Sequence, residues 1–352
     1  MRMTLIRADL DTLPAYVPGR TIPGLIKLAS NEVSLPPTPP VLAAIAQAAA
    51  GGNRYPDLAV TGLTARLAEI HKVDAARIAV GCGSVSLCQQ LVQATCLEPA
   101  DEVIFAWRSF EAYPIVTQIG GATARTVPLD AEFRHDVDAM AAAVGPRSRL
   151  VMLCSPNNPT GTVVTRDELE RFLAAVPADV LVVLDEAYYE FVTDPAAAHG
   201  SELLDTYPNL VVLRTFSKAY RLAGLRVGYA IGSAEVATAL RKVCSPFSVN
   251  SVAQAAAIAA LDDADNLLAG CAGMITERIR VRDALVALGY TVPPTQSNFV
   301  WLALGAQTAP FSAHCLEHRV VVRPFHPDGV RATVSTPQEN DAFLAAAGSF
   351  SG

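Results

Sequence analysis

Several residues that could do chemistry stand just behind apolar runs. Gly83 and Ser84 follow IAVGC, Phe110 comes soon after VIFAW, Asn157 and Asn158 follow VMLCS, Asp185 closes VLVVL, and Ser217 with Lys218 follows VVLRTF. A carboxylate at the end of a buried strand is heavily desolvated and stays ionised only beside a cation, for which a protonated ring nitrogen would serve. A lysine at such a strand end, with Arg226 nearby, has a lowered pKa and an amine nucleophilic toward an aldehyde. In GCGSVSLCQQ, small residues enter a helix, so backbone amides and the helix dipole can hold a phosphate with help from Thr215, Ser217 and Arg226. An aldehyde, a pyridinium and a phosphate held together describe pyridoxal phosphate, bound through a lysine Schiff base and an aspartate on the ring nitrogen.

Each motif alone has a plainer reading. Gly-x-Gly-Ser before a helix is also a tight turn with a cap. An Asp-Glu pair after a strand also binds magnesium, SPNNPTG is also a simple turn, Lys218 could snorkel, and Arg226 could close a surface ion pair. Their joint occurrence in this order favours the cofactor.

Parallel strands would bring these residues together. From about residue 60, amphipathic helices (VTGLTARLAEIHKV, VSLCQQLVQAT) alternate with the short apolar runs RIAVGC, EVIFAW, RLVMLCS, VLVVLDEA and LVVLRTFS. That alternation predicts an α/β fold with a largely parallel sheet and helices on both faces. Ligands of such sheets bind beyond the carboxyl ends of the strands, where these polar residues fall. After SPFSVNSVAQAAAIAAL the rhythm changes to a long helix and then to the runs QSNFVWLAL, HRVVVRPF and VRATVST, expected as strands of a smaller α+β unit. The boundaries expected are a Pro- and Gly-rich strap over 1–30 that joins the small unit, a large cofactor-binding domain over 31–250, and a small domain over 251–352.

The 352 residues carry a formal net charge of −7 and no basic stripe, which argues against nucleic acid as a partner. The arginine cluster TERIRVRD alternates in sign and reads as a solvated helix face. No apolar stretch is long enough to span a membrane and no secretory signal is visible, so a cytoplasmic location is expected. Seven scattered cysteines without Cys-x-x-Cys spacing read as reduced core residues, with no metal site.

The segments NRYPD (53–57), SPNNPTG (155–161), LDEAYYEF (184–191) and RTFSKAYRLAGLRVGY (214–229) resemble the fold-type I aminotransferases, within them the histidinol-phosphate aminotransferase subfamily. LPAYVPGRTIPGLIKLASNE, AVGCGSVSLCQQLVQ and WRSFEAYP are similar to its actinobacterial-type aromatic amino acid (phenylalanine) branch. The resemblance implies the PLP-dependent transferase fold, with a mostly parallel seven-stranded sheet in an α/β/α sandwich. It makes Lys218 the Schiff-base lysine and proton carrier, Asp185 the partner of the ring nitrogen, and Asn158 and Tyr188 the partners of the 3′ oxygen. Phe110 would stack on the ring. Ser84, Val85, Thr215, Ser217 and Arg226 would hold the phosphate, together with Tyr55 reaching across a homodimer. Arg331 would clamp the substrate carboxylate, Arg323 is the second candidate for an anionic group, and Tyr16 and Asn31 on the strap would close over the substrate. Trp107, Phe110 and Tyr16 are candidates for an apolar substrate wall.

Two departures stand out. Arg221 occupies a position where the family usually has glycine, and is expected to be an exposed arginine with helical φ. Val85 and Ser86 replace the acidic pair common in histidinol-phosphate enzymes, which shifts the expected reaction to transamination of aromatic amino acids (phenylalanine, tyrosine, tryptophan) with 2-oxoglutarate or another 2-oxo acid. Histidinol-phosphate transamination is the alternative, and a PLP-dependent decarboxylase of the same fold a more distant one.

Overall fold

The computed structural model describes residues 7–13 and 19–351; Tyr16 lies outside them. Among the described residues twelve strands are formed: β1 (Ile26–Lys27), β2 (Ile78–Gly81), β3 (Glu102–Trp107), β4 (Thr123–Pro128), β5 (Ser148–Cys154), β6 (Leu181–Asp185), β7 (Leu210–Thr215), β8 (Gly228–Ile231), β9 (Phe299–Ala303), β10 (Val320–Val321), β11 (Arg323–Phe325) and β12 (Gly329–Thr333).

Seven of them build one sheet in the order β2-β8-β7-β6-β5-β3-β4. All neighbours pair in parallel except β8, which runs antiparallel to both β7 and β2. The runs LVVL and VLVVL form the centre because β-branched side chains suit a pleated surface packed on both sides. Alternate residues serve opposite faces: Val182, Leu184 and Val212 join one apolar cluster, while Val183, Val211 and Leu213 join another. Each such fully buried side chain contributes roughly 1.5–3 kcal/mol, so a one-residue slip of register would expose a whole row. Helices cover both faces, as the alternating pattern implied.

A third apolar cluster gathers Leu28 with Val281, Phe311, Val330 and Phe343. Here β9, β12 and β11 form an antiparallel sheet, and β1 pairs in parallel with β10. HRVVVRPF, expected as one strand, is therefore two: Val320–Val321 pairs with the N-terminal segment and Arg323–Phe325 with β12. The long helix is Ala264–Ala287. Within it Arg278 corrects the solvated-face expectation, since it is buried and donates to the carbonyls of Phe191 (2.8 Å) and Ser297 (3.2 Å). It ties this helix to the segment that follows Asp185 and Tyr188. Among the described residues no helix is long and apolar enough to cross a membrane.

Candidate active site

The register of the sheet sets Cys154 beside Asp185, Asp185 beside Leu213, and Thr215 beside Gly228, so the carboxyl ends of β5, β6 and β7 stand together. Over them opens a cavity of about 580 Å³. Its walls include Ser84, Val85, Phe110, Asn158, Asp185, Tyr188, Thr215, Ser217 and Lys218, with Arg226, Asn31, Arg323 and Arg331. Residues from opposite ends of the chain thus meet in one space.

Asp185 is 2 % exposed. Its Oδ2 accepts a hydrogen bond from the Tyr113 hydroxyl at 2.9 Å, and its Oδ1 has no partner among the described residues. Burial raises its pKa from 3.8 to about 6 against the pull of the Tyr113 hydrogen bond. A cation beside Oδ1 would stabilise its charged form. Tyr113 was not anticipated; its ring also meets Phe110 edge-on at 5.6 Å, so one residue supports two walls of the cavity.

Lys218 Nζ donates to the carbonyl of Ser30 at 3.3 Å and lies 5.9 Å from the Tyr188 ring centroid. Burial lowers its pKa to about 7, helped by the charge of Arg331 and less by that of Arg226. Burial and Arg226 act as expected, and Arg331, from a distant part of the chain and not anticipated in this role, acts more strongly than Arg226. At neutral pH a large share of this amine is uncharged.

A candidate anion cradle lies where the helix Ser84–Thr95 begins. No side chain caps that helix, so its first amide N–H groups are left to a ligand or water. Gly83 has φ +78°, and a Cβ there would stand 2.4 Å from Arg226 Nη2; at Gly228 a Cβ would stand 2.8 Å from the Ser84 nitrogen. Gly83 leaves room for the Arg226 guanidinium, and Gly228 lets its backbone approach that of Ser84 and Arg214. Arg226 Nη1 donates to Ser217 Oγ at 3.2 Å, and Thr215 Oγ1 to the same oxygen at 3.0 Å. Donors from three elements converge on one side.

On the opposite side Arg331 donates to Asn158 Oδ1 and to the carbonyl of Ala29, with its guanidinium 5.4 Å from the Phe299 ring centroid. Asn31, held at φ 55°, donates through Nδ2 to the Tyr188 hydroxyl at 2.9 Å. Burial pushes the Tyr188 hydroxyl pKa well up.

Two expectations, those for Trp107 and Arg221, end elsewhere, while that for Tyr55 concerns a partner subunit. Trp107 faces a neighbouring cavity with Arg108 and Phe325 and takes no part in the site's wall. Tyr55 is 83 % exposed, stacks on Phe247 with centroids 4.7 Å apart, and is outside the cavity. Arg221 has φ +60°, a left-handed conformation that favours glycine, and is partly buried. Its guanidinium donates to the carbonyls of Pro36 (3.1 Å) and Leu267 (3.5 Å) and fills a notch at Gly270, where a Cβ would stand 2.3 Å from Nη2.

Comparison with known proteins agrees with this geometry. Residues 23–346 match the family described as "Aminotransferase class I and II". The chain belongs to the class I and II aminotransferases. Members of this family transfer an amino group between amino acids and 2-oxo acids. The chain is 60 % identical over 339 residues to an aromatic amino acid aminotransferase of Rhodococcus jostii, covering 96 % of this chain and 94 % of that one. Its identity to the protein of the same name from Streptomyces coelicolor is 54 % over 343 residues, with 96 % and 95 % covered. Among solved structures, the histidinol-phosphate aminotransferase of Sinorhizobium meliloti in complex with pyridoxal-5′-phosphate superposes with a TM-score of 0.88 at 30 % identity, covering 98 % and 97 % of the two chains. A Thermus thermophilus aspartate aminotransferase mutant shares the fold, with a TM-score of 0.85 at 23 % identity and coverage of 99 % of each chain. The aminotransferase fold is thus the α/β architecture described above, with its sheet ends forming the floor of the site.

Proposed function

We propose that this chain transaminates aromatic amino acids with pyridoxal 5′-phosphate as cofactor, passing the nitrogen to 2-oxoglutarate or another 2-oxo acid. The observation that carries this reading is the meeting of a buried, partnerless Asp185 Oδ1 and the low-pKa amine of Lys218 in one cavity. It occurs in a chain 54–60 % identical to proteins named for that activity.

The donor set fits the cofactor. Bound there, pyridoxal 5′-phosphate supplies an aldehyde that captures amines and a ring that draws electrons from the substrate's α-carbon. Lys218 would hold the aldehyde and, once displaced by substrate, take a proton from the α-carbon and return it one position away. Asp185 would keep the ring nitrogen protonated by accepting its N–H. Tyr188, whose hydroxyl oxygen already accepts from Asn31, has its own proton to donate to the 3′ oxygen. Asn158, its Oδ1 taken by Arg331, would offer Nδ2 to the same atom. Phe110 would flank the ring. The amides of Ser84 and Val85 with Thr215, Ser217 and Arg226 would bind the phosphate. Arg331 would orient the substrate carboxylate through its two-pronged donor set, with Arg323 as a second cation and Asn31 closing the strap side.

We also propose a homodimer in which Tyr55, exposed in one protomer, completes the phosphate site of its partner. The division into a strap (1–30), a large domain (31–250) and a small domain (251–352) belongs to the same proposal. The helix Ser251–Asp262 and the first half of Ala264–Ala287 also pack on the large domain's cluster and would join the two. A cytoplasmic location is supported by seven free thiols.

Histidinol-phosphate transamination is the second reading, favoured by the Sinorhizobium meliloti likeness and by two arginines able to take a phosphate. Measuring kcat/KM for phenylalanine and for histidinol phosphate on one preparation separates them: phenylalanine should be preferred, and a preference for histidinol phosphate would overturn the assignment.

A further inference from the structure

Three residues that line the cavity at or just past the ends of β6 and β7 have chain neighbours that meet behind the sheet. Asp185, Tyr188 and Thr215 face the cavity, while Glu186, Tyr189 and Arg214 gather on the face that carries Leu184 and Val212. Arg214 donates through Nε (2.9 Å) and Nη2 (2.8 Å) to Glu186 Oε2, and its guanidinium carbon lies 3.4 Å from the centroid of the Tyr189 ring. Glu186 Oε1 accepts from the Gly200 amide at 2.7 Å. A Cβ on Gly200 would stand 2.6 Å from a Val212 methyl and 2.9 Å from a Leu184 methyl, so glycine is what lets that amide come so close.

The place of this cluster gives it a task. A bond from the Glu186 amide to the Leu213 carbonyl (2.9 Å) closes the pairing of β6 with β7, and past it the chain runs on to Tyr188 on one side and to Ser217 and Lys218 on the other. The side chains of Arg214 and Glu186 are 7 % and 1 % exposed, so salt and solvent screen their attraction little. A buried ion pair is often no more stabilising than apolar residues of the same volume, and stability alone does not account for these directional bonds. What they fix is the spacing of two strand ends. A ligand gripped at two points, by Asp185 on β6 and by Thr215 beside Ser217 on β7, needs that spacing held to roughly 0.5 Å.

We propose that Glu186 and Arg214 are positioning residues: with the Tyr189 ring they set Asp185 and Tyr188 against Thr215, so that a pyridine ring and the phosphate joined to it are gripped together. Neither lines the cavity, and each acts through its neighbour in the chain. This rests on the cofactor site proposed above and adds the residues that hold its two halves in register.

The test separates the grip on the whole molecule from the grip on one part. Equilibrium dialysis of the full chain loaded with pyridoxamine 5′-phosphate, which forms no bond to Lys218, gives its dissociation constant, and competition by inorganic phosphate gives that of the phosphate alone. The double variant Glu186→Gln with Arg214→Met removes both charges at once, keeps an acceptor for Gly200 and leaves no unpaired ion. Pyridoxamine 5′-phosphate should bind it at least tenfold more weakly, while inorganic phosphate stays within about twofold, because the advantage of linked groups is lost when both cannot be engaged together. Arg214→Lys keeps the charge but neither the two-pronged contact nor the flat stack, and should weaken pyridoxamine 5′-phosphate at least threefold with phosphate again unchanged; it decides the matter if the double variant does not fold. Both ligands weakened in proportion, or neither, would show a merely structural pair and overturn the proposal. A wild type that does not bind pyridoxamine 5′-phosphate sinks the cofactor site itself instead.

Discussion

Replacing Asp185 with Asn should move stability and activity in opposite directions. Burial displaces the Asp185 carboxyl from 3.8 to about 6. At 1.36 kcal/mol per pH unit, this makes the ionised, buried carboxylate cost the cofactor-free fold about 3 kcal/mol. The sign follows from the folded state holding its proton more tightly than the unfolded state. The penalty is therefore absent below about pH 4, grows between pH 4 and 6, and is complete above. Asn keeps an oxygen for the Tyr113 hydroxyl and removes the charge. With an unfolding entropy of roughly 2.1 cal/mol/K per residue, 352 residues convert 3 kcal/mol into a Tm gain of about 4 °C for the cofactor-free variant. The same change removes the anion that would keep the ring nitrogen protonated, so the loaded variant should lose at least about a hundredfold in kcat. Calorimetry of cofactor-free wild type and variant at pH 4 and 7.5, with turnover of the loaded forms, gives both readings. A variant no more stable than wild type at pH 7.5, or a gain of equal size at pH 4, would refute the reasoning.

Other outcomes follow from neighbouring groups. The rate at which cofactor-free protein captures pyridoxal phosphate should rise with pH to a half-maximum near 7, because only the neutral Lys218 amine reacts; a half-maximum near 10 would show an ordinary lysine. Tyr113→Phe removes a hydrogen bond to a charged acceptor, worth roughly 1.5–3 kcal/mol, and should lower kcat about tenfold or more with KM little changed. A large rise in KM alone would assign Tyr113 to substrate binding instead. Arg221→Gly trades relief of about 1 kcal/mol or more of left-handed strain for two lost hydrogen bonds of about 1 kcal/mol each. Its Tm should shift by only a degree or two while amide exchange over residues 30–36 quickens; unchanged exchange would mean that the guanidinium does not hold that segment.

The parts of the site legible in the sequence share one property: each follows an apolar run. Asp185, Asn158, Ser217 and Lys218 are carried to the same edge because parallel strands in register end together, and both the runs and their order can be read in one dimension. β4 and β8 were harder to read. TARTVP lies at an exposed sheet edge and has no apolar run, while β8 is four residues long and reversed. Contacts made across the chain were not legible at all. Asn31 reaches Tyr188 over 157 positions and Arg323 reaches Glu111 over 212, and no local spacing encodes either. Tyr113 was missed because its place beneath Asp185 depends on how the turn after Trp107 directs the next helix. For Arg221 a residue type that usually avoids positive φ gave a misleading signal, since Pro36, Leu267 and Gly270 compensate from far away.

The central claim is that Lys218 is the amine that captures the aldehyde. Loading the purified chain with pyridoxal 5′-phosphate, reducing with borohydride and mapping the labelled peptide by mass spectrometry tests it directly. The account predicts a single pyridoxyl group on Lys218, lost in Lys218→Ala; a label on another lysine, or none, contradicts it.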